Sequence, residues 1–138
     1  MKHKGCISDF AQQRNAELMR EFRKVVSSKD FFDITKDFEL VVNSPCSRFW
    51  VSEERATVVI SAMLKGNYCG LDSMRPVKRE MFLELKRRVT KLQKDMPEAT
   101  LFDLVFRAVN SPAPKFYMRP RHAREIIYKM KRSLHGRR

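Results

Sequence analysis

Residues 42–63 read VNSPCSRFWVSEERATVVISAM, and residues 109–130 read VNSPAPKFYMRPRHAREIIYKM. The two stretches align without a gap at an offset of 67 positions. Both have VNSP, then a basic residue, Phe, a second aromatic and an apolar residue, and later Ala and Met in the same register. A shared order of this length predicts an internal repeat, and a repeat constrains the fold because both copies must form the same elements.

Each copy is predicted to form a short helix, an irregular loop and a second helix. The second helix is indicated by Ala, β-branched and Met residues at i, i+3, i+4 and i+7, which lie on one helix face. Ser52 is a suitable N-cap in the first copy, and Pro120 suits the first helical position in the second copy. The side chains predicted to form the core are Phe49, Ile60, Met63, Phe116, Ile127 and Met130.

The rest of the chain also favours helices. Ser8 is predicted to cap a helix over 9–26, Pro76 to open one over 76–95, and Thr100 to cap one that reaches Val109. A weaker match places Arg23-Lys24 opposite Lys86-Arg87, with a four-residue gap. We therefore expect an all-α single domain over 1–138, with about six helices in two tandem, diverged three-helix repeats that share one core. The expected segments are a first half over about 8–66, a hinge over 66–74, a second half over about 75–133 and a basic tail over 133–138.

Charge is distributed unevenly between the two sequence halves. The chain has 29 Lys and Arg against 16 Asp and Glu, a net charge of +13. Residues 1–66 carry a net +2 and residues 67–138 a net +11. A strong positive surplus on a small protein is typical of a polyanion partner. The leading hypothesis is a non-catalytic nucleic-acid-binding protein, for DNA or RNA, that contacts the phosphate backbone mainly through its second half.

The candidate phosphate contacts are the basic residues of the second copy. They are Lys115, Arg119, Arg121, Arg124, Lys129, Lys131 and Arg132. Tyr117 and Trp50 are candidate platforms for base stacking, although packing at the helix entry is the favoured interpretation of these rings. The loop between the two helices is longer than the turn of a common helix-turn-helix, which argues against a dedicated base-reading role.

Other classes of function find little support in the residues. Glycines are too scattered for a phosphate-binding loop, the three histidines lie near the termini or in a basic helix, and the three cysteines have no ligand spacing. We therefore expect no enzymatic activity, no metal and no cofactor. No stretch has signal-peptide or membrane-spanning character, so a cytoplasmic location, or one inside a particle assembled there, is expected, without a membrane partner.

The alternative hypothesis is an assembly or scaffold protein. Examples are an accessory subunit of a polymerase or reverse transcriptase and a structural component of a phage. The helix that follows Ser52 is apolar around most of its circumference, which is typical of a helix buried in a core or against a partner. A protein partner or a homo-oligomer formed through such apolar helices therefore stays open beside nucleic-acid binding.

Overall fold

The computed structural model describes residues 2–28 and 30–136, and it describes the side chains of residues 10–28 and 30–134. Within these ranges the chain forms seven α-helices and no β-strand, which confirms the all-α fold class. The helices are α1 Lys2–Ser27, α2 Ile34–Val42, α3 Glu53–Leu64, α4 Cys69–Asp72, α5 Pro76–Asp95, α6 Leu101–Val109 and α7 Pro120–Gly136.

Local capping chemistry explains where most helices begin. The Ser52 hydroxyl accepts a hydrogen bond from the Arg55 N–H at 3.1 Å, and the Thr100 hydroxyl accepts one from the Asp103 N–H at 3.2 Å. These bonds satisfy donors that have no partner inside the helix. Both α5 and α7 begin at a proline, as expected from its fixed φ. Gly66 follows α3 with a φ of 86°, a left-handed conformation that glycine adopts without strain.

Two helix predictions were wrong. The helix α1 begins at Lys2, upstream of the predicted cap at Ser8. No proline stands between Lys2 and Ser8, and the single glycine there, Gly5, costs only about 1 kcal/mol in a helix, so nothing ends the helix early. The segment predicted to be a hinge contains the short helix α4, Cys69–Asp72, which raises the number of helices to seven among the described residues.

The helices pack as two compact units that do not follow the sequence halves. One unit, here called the split unit, consists of Met1–Cys46 and Pro114–Arg138, and it contains α1, α2 and α7. The other, here called the central unit, consists of Ser47–Ala113 and contains α3 to α6. The helix α3 therefore packs against α5 and α6, and α7 packs against α1 and α2.

In each unit one backbone hydrogen bond holds the segment that leads into the helix after the aromatic pair. This helix is α3 in the central unit and α7 in the split unit. In the central unit the Phe49 N–H donates to the carbonyl of Val109 at 2.9 Å, and in the split unit the Phe116 N–H donates to the carbonyl of Val42 at 2.9 Å. Val109 and Val42 end α6 and α2, where carbonyl groups lack a partner within the helix. Both Phe side chains are buried. Bond and ring together therefore anchor the entry to α3 and to α7.

Buried side chains occupy matching positions in the two units. The matches are Phe38, Val41 and Val42 with Val105, Ala108 and Val109; Ala56 and Ile60 with Ala123 and Ile127; and Leu18, Met19 and Phe22 with Met81, Phe82 and Leu85. Five of the six side chains predicted to form the core are buried. The exception is Met130, which is half-buried because it lines a surface cleft between α1 and α7.

A single arginine joins α5 to the Asn-Ser-Pro turn of the central unit. The Arg88 guanidinium donates to the Ser111 hydroxyl at 3.0 Å, to the Pro112 carbonyl at 2.7 Å and to the Glu84 carboxylate at 2.8 Å. It also lies 4.9 Å from the centroid of the Phe49 ring. The planar guanidinium can serve the three acceptors at once because its donors point in fixed directions within one plane, and its charge is also attracted by the Phe49 ring.

Replacing either matched isoleucine should destabilise the protein. Ile60→Ala in the central unit and Ile127→Ala in the split unit each leave a cavity in a closed core, so each should lower the free energy of unfolding by about 2–5 kcal/mol. Urea denaturation followed by circular dichroism measures the change. Val58→Ala, at an exposed position of α3, is the control and should change stability by less than about 0.5 kcal/mol. An unchanged urea midpoint for either Ile variant would contradict the core described here.

Removing Arg88 should cost more than removing its neighbour. Arg88→Ala deletes the hydrogen bonds to Ser111 and Pro112 and should lower the free energy of unfolding by about 1–3 kcal/mol. Arg88→Lys keeps the charge but loses the planar fork, so an intermediate loss is expected. The matched control is Arg87→Ala, which removes a largely exposed side chain and its ion pair with Glu84 and should cost less than about 1 kcal/mol. Equal losses at the two positions would show that the Arg88 contacts do not stabilise the unit.

Candidate nucleic-acid interface

The basic side chains of α7 lie outside its buried stripe, around the rest of the helix circumference. Ala123 and Ile127 are buried against the split unit, which turns the remaining faces of the helix outward. Of the seven candidate phosphate contacts, five are exposed and two are half-buried. The exposed ones are Arg119, Arg121, Lys129, Lys131 and Arg132, and the half-buried ones are Lys115 and Arg124.

Arg121, Arg124 and Lys131 lie along one flank of α7. Residues three and seven apart share a side of a helix, so a single extended anion can reach all three. Arg121 and Arg124 line a shallow groove together with residues of α2, among them Thr35 and Glu39. Arg121 also stands 3.8 Å from the Glu125 carboxylate, but both side chains are mostly exposed, so this pair is weak.

Two lysines of the candidate set lie over aromatic rings. The Lys131 ammonium is 5.3 Å from the centroid of the Phe22 ring, which belongs to α1, and the Lys115 ammonium is 5.6 Å from the centroid of the Tyr117 ring. An ammonium group at this distance is attracted by the ring quadrupole and keeps its charge. The rings therefore restrict where these two charges sit without neutralising them.

Further exposed cations of the split unit lie on α1, beside the Met130 and Leu134 side of α7, and they were not among the predicted contacts. Arg20, Arg23 and Lys24 are exposed and line a cleft whose other wall is formed by Met130 and Leu134 of α7. The basic character of α1 was overlooked because charge was summed over sequence halves, and α1 was counted with the nearly neutral half. The spacing of these three cations at i, i+3 and i+4 was the available clue.

Summing charge over the compact units gives a different distribution. The split unit carries 17 Lys and Arg against 8 Asp and Glu, a net +9. The central unit carries 12 against 8, a net +4. The positive surplus is therefore still concentrated in the unit that contains α7, but the contrast between the units is smaller than the contrast between the sequence halves.

The two candidate stacking rings are not accessible. Trp50 is only 6% exposed and Tyr117 only 8% exposed, so neither ring presents an open face to a base. In each copy the basic residue two positions earlier covers the ring, with Arg48 lying 5.9 Å from the Trp50 centroid. Tyr117 also has a φ of 55°, an unusual value for a non-glycine residue, which fits a side chain fixed by its surroundings. This burial supports packing at the helix entry, the favoured interpretation of these rings, over base stacking.

Arg48 is held within the fold. Its guanidinium donates to the Phe49 carbonyl at 2.9 Å and to the Val51 carbonyl at 2.7 Å, and it lies 3.9 Å from the Glu53 carboxylate. Burial lowers the pKa of Arg48, and the charge of Glu53 opposes this effect. Lys115, the corresponding residue of the second copy, has its ammonium over Tyr117 at the edge of the basic face.

Among the described residues no group of three or more His, Cys, Asp and Glu side chains is placed to hold a metal ion. None of the helices in the described ranges has the length and apolar character that crossing a membrane requires.

Replacing the buried rings of Trp50 and Tyr117 should lower stability but leave nucleic-acid affinity nearly unchanged. Trp50→Leu and Tyr117→Leu remove aromatic packing at the entries to α3 and α7, so each should lower the free energy of unfolding by about 1–3 kcal/mol. Affinity for single-stranded DNA or RNA, measured by fluorescence anisotropy on the folded variants, should stay within about twofold of the parent. Loss of a stacked base costs about 1–3 kcal/mol of binding, so a tenfold or larger loss of affinity would restore the stacking hypothesis.

No protein-family model, curated protein or solved structure matches this chain.

Proposed function

We propose that this chain is a non-catalytic nucleic-acid-binding protein that contacts phosphates mainly through the α7 face of the split unit. The observation that carries the proposal is the cluster of exposed cations on α7, joined by those of α1, in a unit with a net charge of +9. Each Lys or Arg that contacts a phosphate releases condensed counterions, and this supplies most of the affinity in non-specific binding.

The fold that carries the proposed binding face consists of a three-helix unit that we infer to be duplicated. In each unit a long helix, a short helix and the helix after the aromatic pair pack together. In the split unit these are α1, α2 and α7, in that order. In the central unit they are α5, α6 and α3. Matching buried positions and the two equivalent Phe N–H bonds support a common origin for the units. On this basis the last helices were exchanged between the two copies, and their charges then diverged.

The divergence of the exchanged helices supports a division of roles. At the positions where α7 has Pro120, Arg121 and Arg124, α3 has Glu53, Glu54 and Thr57. Glu53 accepts a hydrogen bond from the Asn110 side chain at 2.9 Å, which is a structural task within the central unit. The basic residues of α7 have mainly solvent-facing positions, and a phosphate backbone would give them partners. An exposed thiol at Cys69 suits action in a reducing compartment such as the cytoplasm.

A second candidate function is an assembly role through the central unit. Phe102 and Phe106 of α6 are 43% and 48% exposed, and their ring centroids are 6.1 Å apart. Adjacent exposed aromatic rings are typical of a protein-protein contact. A protein partner on this surface is compatible with nucleic-acid binding on α7, and size-exclusion chromatography of Phe102→Ser/Phe106→Ser against the parent tests whether the rings mediate self-association.

The test of nucleic-acid binding is a triple variant of α7. Arg121→Ala/Arg124→Ala/Lys131→Ala should weaken binding to single- and double-stranded DNA and RNA to a similar degree on every sequence. It should also flatten the slope of log K against log salt by about 0.9 for each lost contact on duplex DNA. Fluorescence anisotropy at several salt concentrations provides both quantities.

The matched control removes three exposed charges from the central unit. Arg55→Ala/Lys65→Ala/Arg107→Ala lowers net charge by the same amount and lies outside α7 and α1. It should leave most of the affinity intact. A folded α7 variant that binds as tightly as the parent at ~150 mM salt would contradict the proposal. The basic face would then be a solvated surface or a protein-docking surface.

A further inference from the structure

The outer side of α5 forms a second basic surface, in the central unit. Leu83, Lys86, Arg87, Thr90, Lys91 and Lys94 line one shallow groove along the helix, here called the α5 groove. All six side chains are exposed except Lys86, which is half-buried. Four of the six are cations and one is a hydroxyl, so the lining offers hydrogen-bond donors and positive charge but no carboxylate.

The charges of the α5 groove are only partly balanced by the protein. Glu84 binds Arg87 in a bidentate manner, at 3.0 and 2.7 Å, and also accepts from Arg88. The hydrogen bond from Arg87 is the main reason why the pKa of Glu84 lies below its usual value. Within the described part of the chain no carboxylate forms an ion pair with Lys86, Lys91 or Lys94. These three ammonium groups therefore remain available to an external anion.

The same arrangement occurs on α1 of the split unit. Residues 21–27 read EFRKVVS and residues 84–90 read ELKRRVT, with the acid, the basic pair and the hydroxyl in the same order. The acid pairs with the cation three residues later in both helices, at 3.2 Å in α1 and 2.7 Å in α5. In both cases the basic pair and the hydroxyl line a surface depression. The basic surface of the long helix is thus common to the two units, whereas α3 and α7 differ in charge.

We propose that the α5 groove is a second phosphate-binding surface, which contacts the backbone of the same class of nucleic acid. This inference rests on the proposed function. From Lys86 to Lys94 the helix rises about 12 Å, which corresponds to roughly three phosphates along one strand of a duplex. Lysines supply charge along this length and Thr90 supplies a neutral donor within it, so the groove fits a sugar-phosphate backbone and has no element for reading bases.

The experiment removes the three available lysines and leaves the Arg87 pair intact. Lys86→Ala/Lys91→Ala/Lys94→Ala should keep α5 folded, because alanine is a strong helix former and none of the three positions is buried. Far-ultraviolet circular dichroism and a urea melt check this point. The readouts are affinity and the log K against log salt slope for a DNA duplex. We expect affinity to fall at least ~10-fold at ~50 mM salt and the slope to flatten by about two to three.

Three comparisons decide the outcome. The control variant Arg55→Ala/Lys65→Ala/Arg107→Ala removes the same charge from the same unit, and equal effects in both variants would overturn the inference in favour of net charge alone. If the α7 variant loses affinity and the α5 variant does not, the inference fails while the proposed function stands. If the parent protein binds no nucleic acid at ~50 mM salt, both fail. A loss in the α5 variant with an unchanged control supports the second surface, whatever the α7 variant does.

Discussion

The hydrogen bonds from the Phe49 and Phe116 N–H groups to the last carbonyls of α6 and α2, together with the buried Phe rings, tie each of these short helices to the loop that leads into α3 or α7. The two short helices have nine residues each, a length at which an isolated helix is marginal in water. Each therefore depends on tertiary contacts and on partners for its terminal carbonyl groups. The loop that supplies the partner also brings in a buried ring and the third helix. Capping, core closure and the placement of α7 consequently follow from one kind of contact.

Features set by neighbouring residues could be predicted, and features set by distant ones could not. The caps at Ser52 and Thr100 and the proline starts of α5 and α7 depend on local backbone donors, which the sequence displays directly. The Ala and Ile stripe follows from helix periodicity. The assignment of α3 to α6 and of α7 to α2 depends on contacts between residues more than 50 positions apart. No periodicity encodes such a contact, so the two three-helix repeats, which were expected to share one core, were drawn in the order of the sequence.

For the candidate site too, features set by neighbouring residues could be predicted and features set by distant residues could not. The cations of α7 were found because they are consecutive in one strongly basic segment, and the structure places most of them in solvent. Those of α1 were missed because they belong to a sequence half that is nearly neutral as a whole, although their neighbours in space include residues of α7. The rings of Trp50 and Tyr117 resemble stacking platforms in composition alone. Their burial results from packing beside Phe49 and Phe116, which a count of aromatic residues does not contain.

The split unit is built from two segments that are far apart in the sequence, and this affects how the chain folds during synthesis. The central unit is one continuous segment, Ser47–Ala113, so all of its helices can meet as soon as that segment leaves the ribosome. The helices α1 and α2 must wait for α7, a delay of roughly 4–15 s at 5–20 residues per second. During that interval the apolar faces of α1 and α2 lack their third partner. The helices α1 and α2 are therefore translated before the central unit but complete their core after it, and the basic surface of the split unit forms only once α7 has been synthesised.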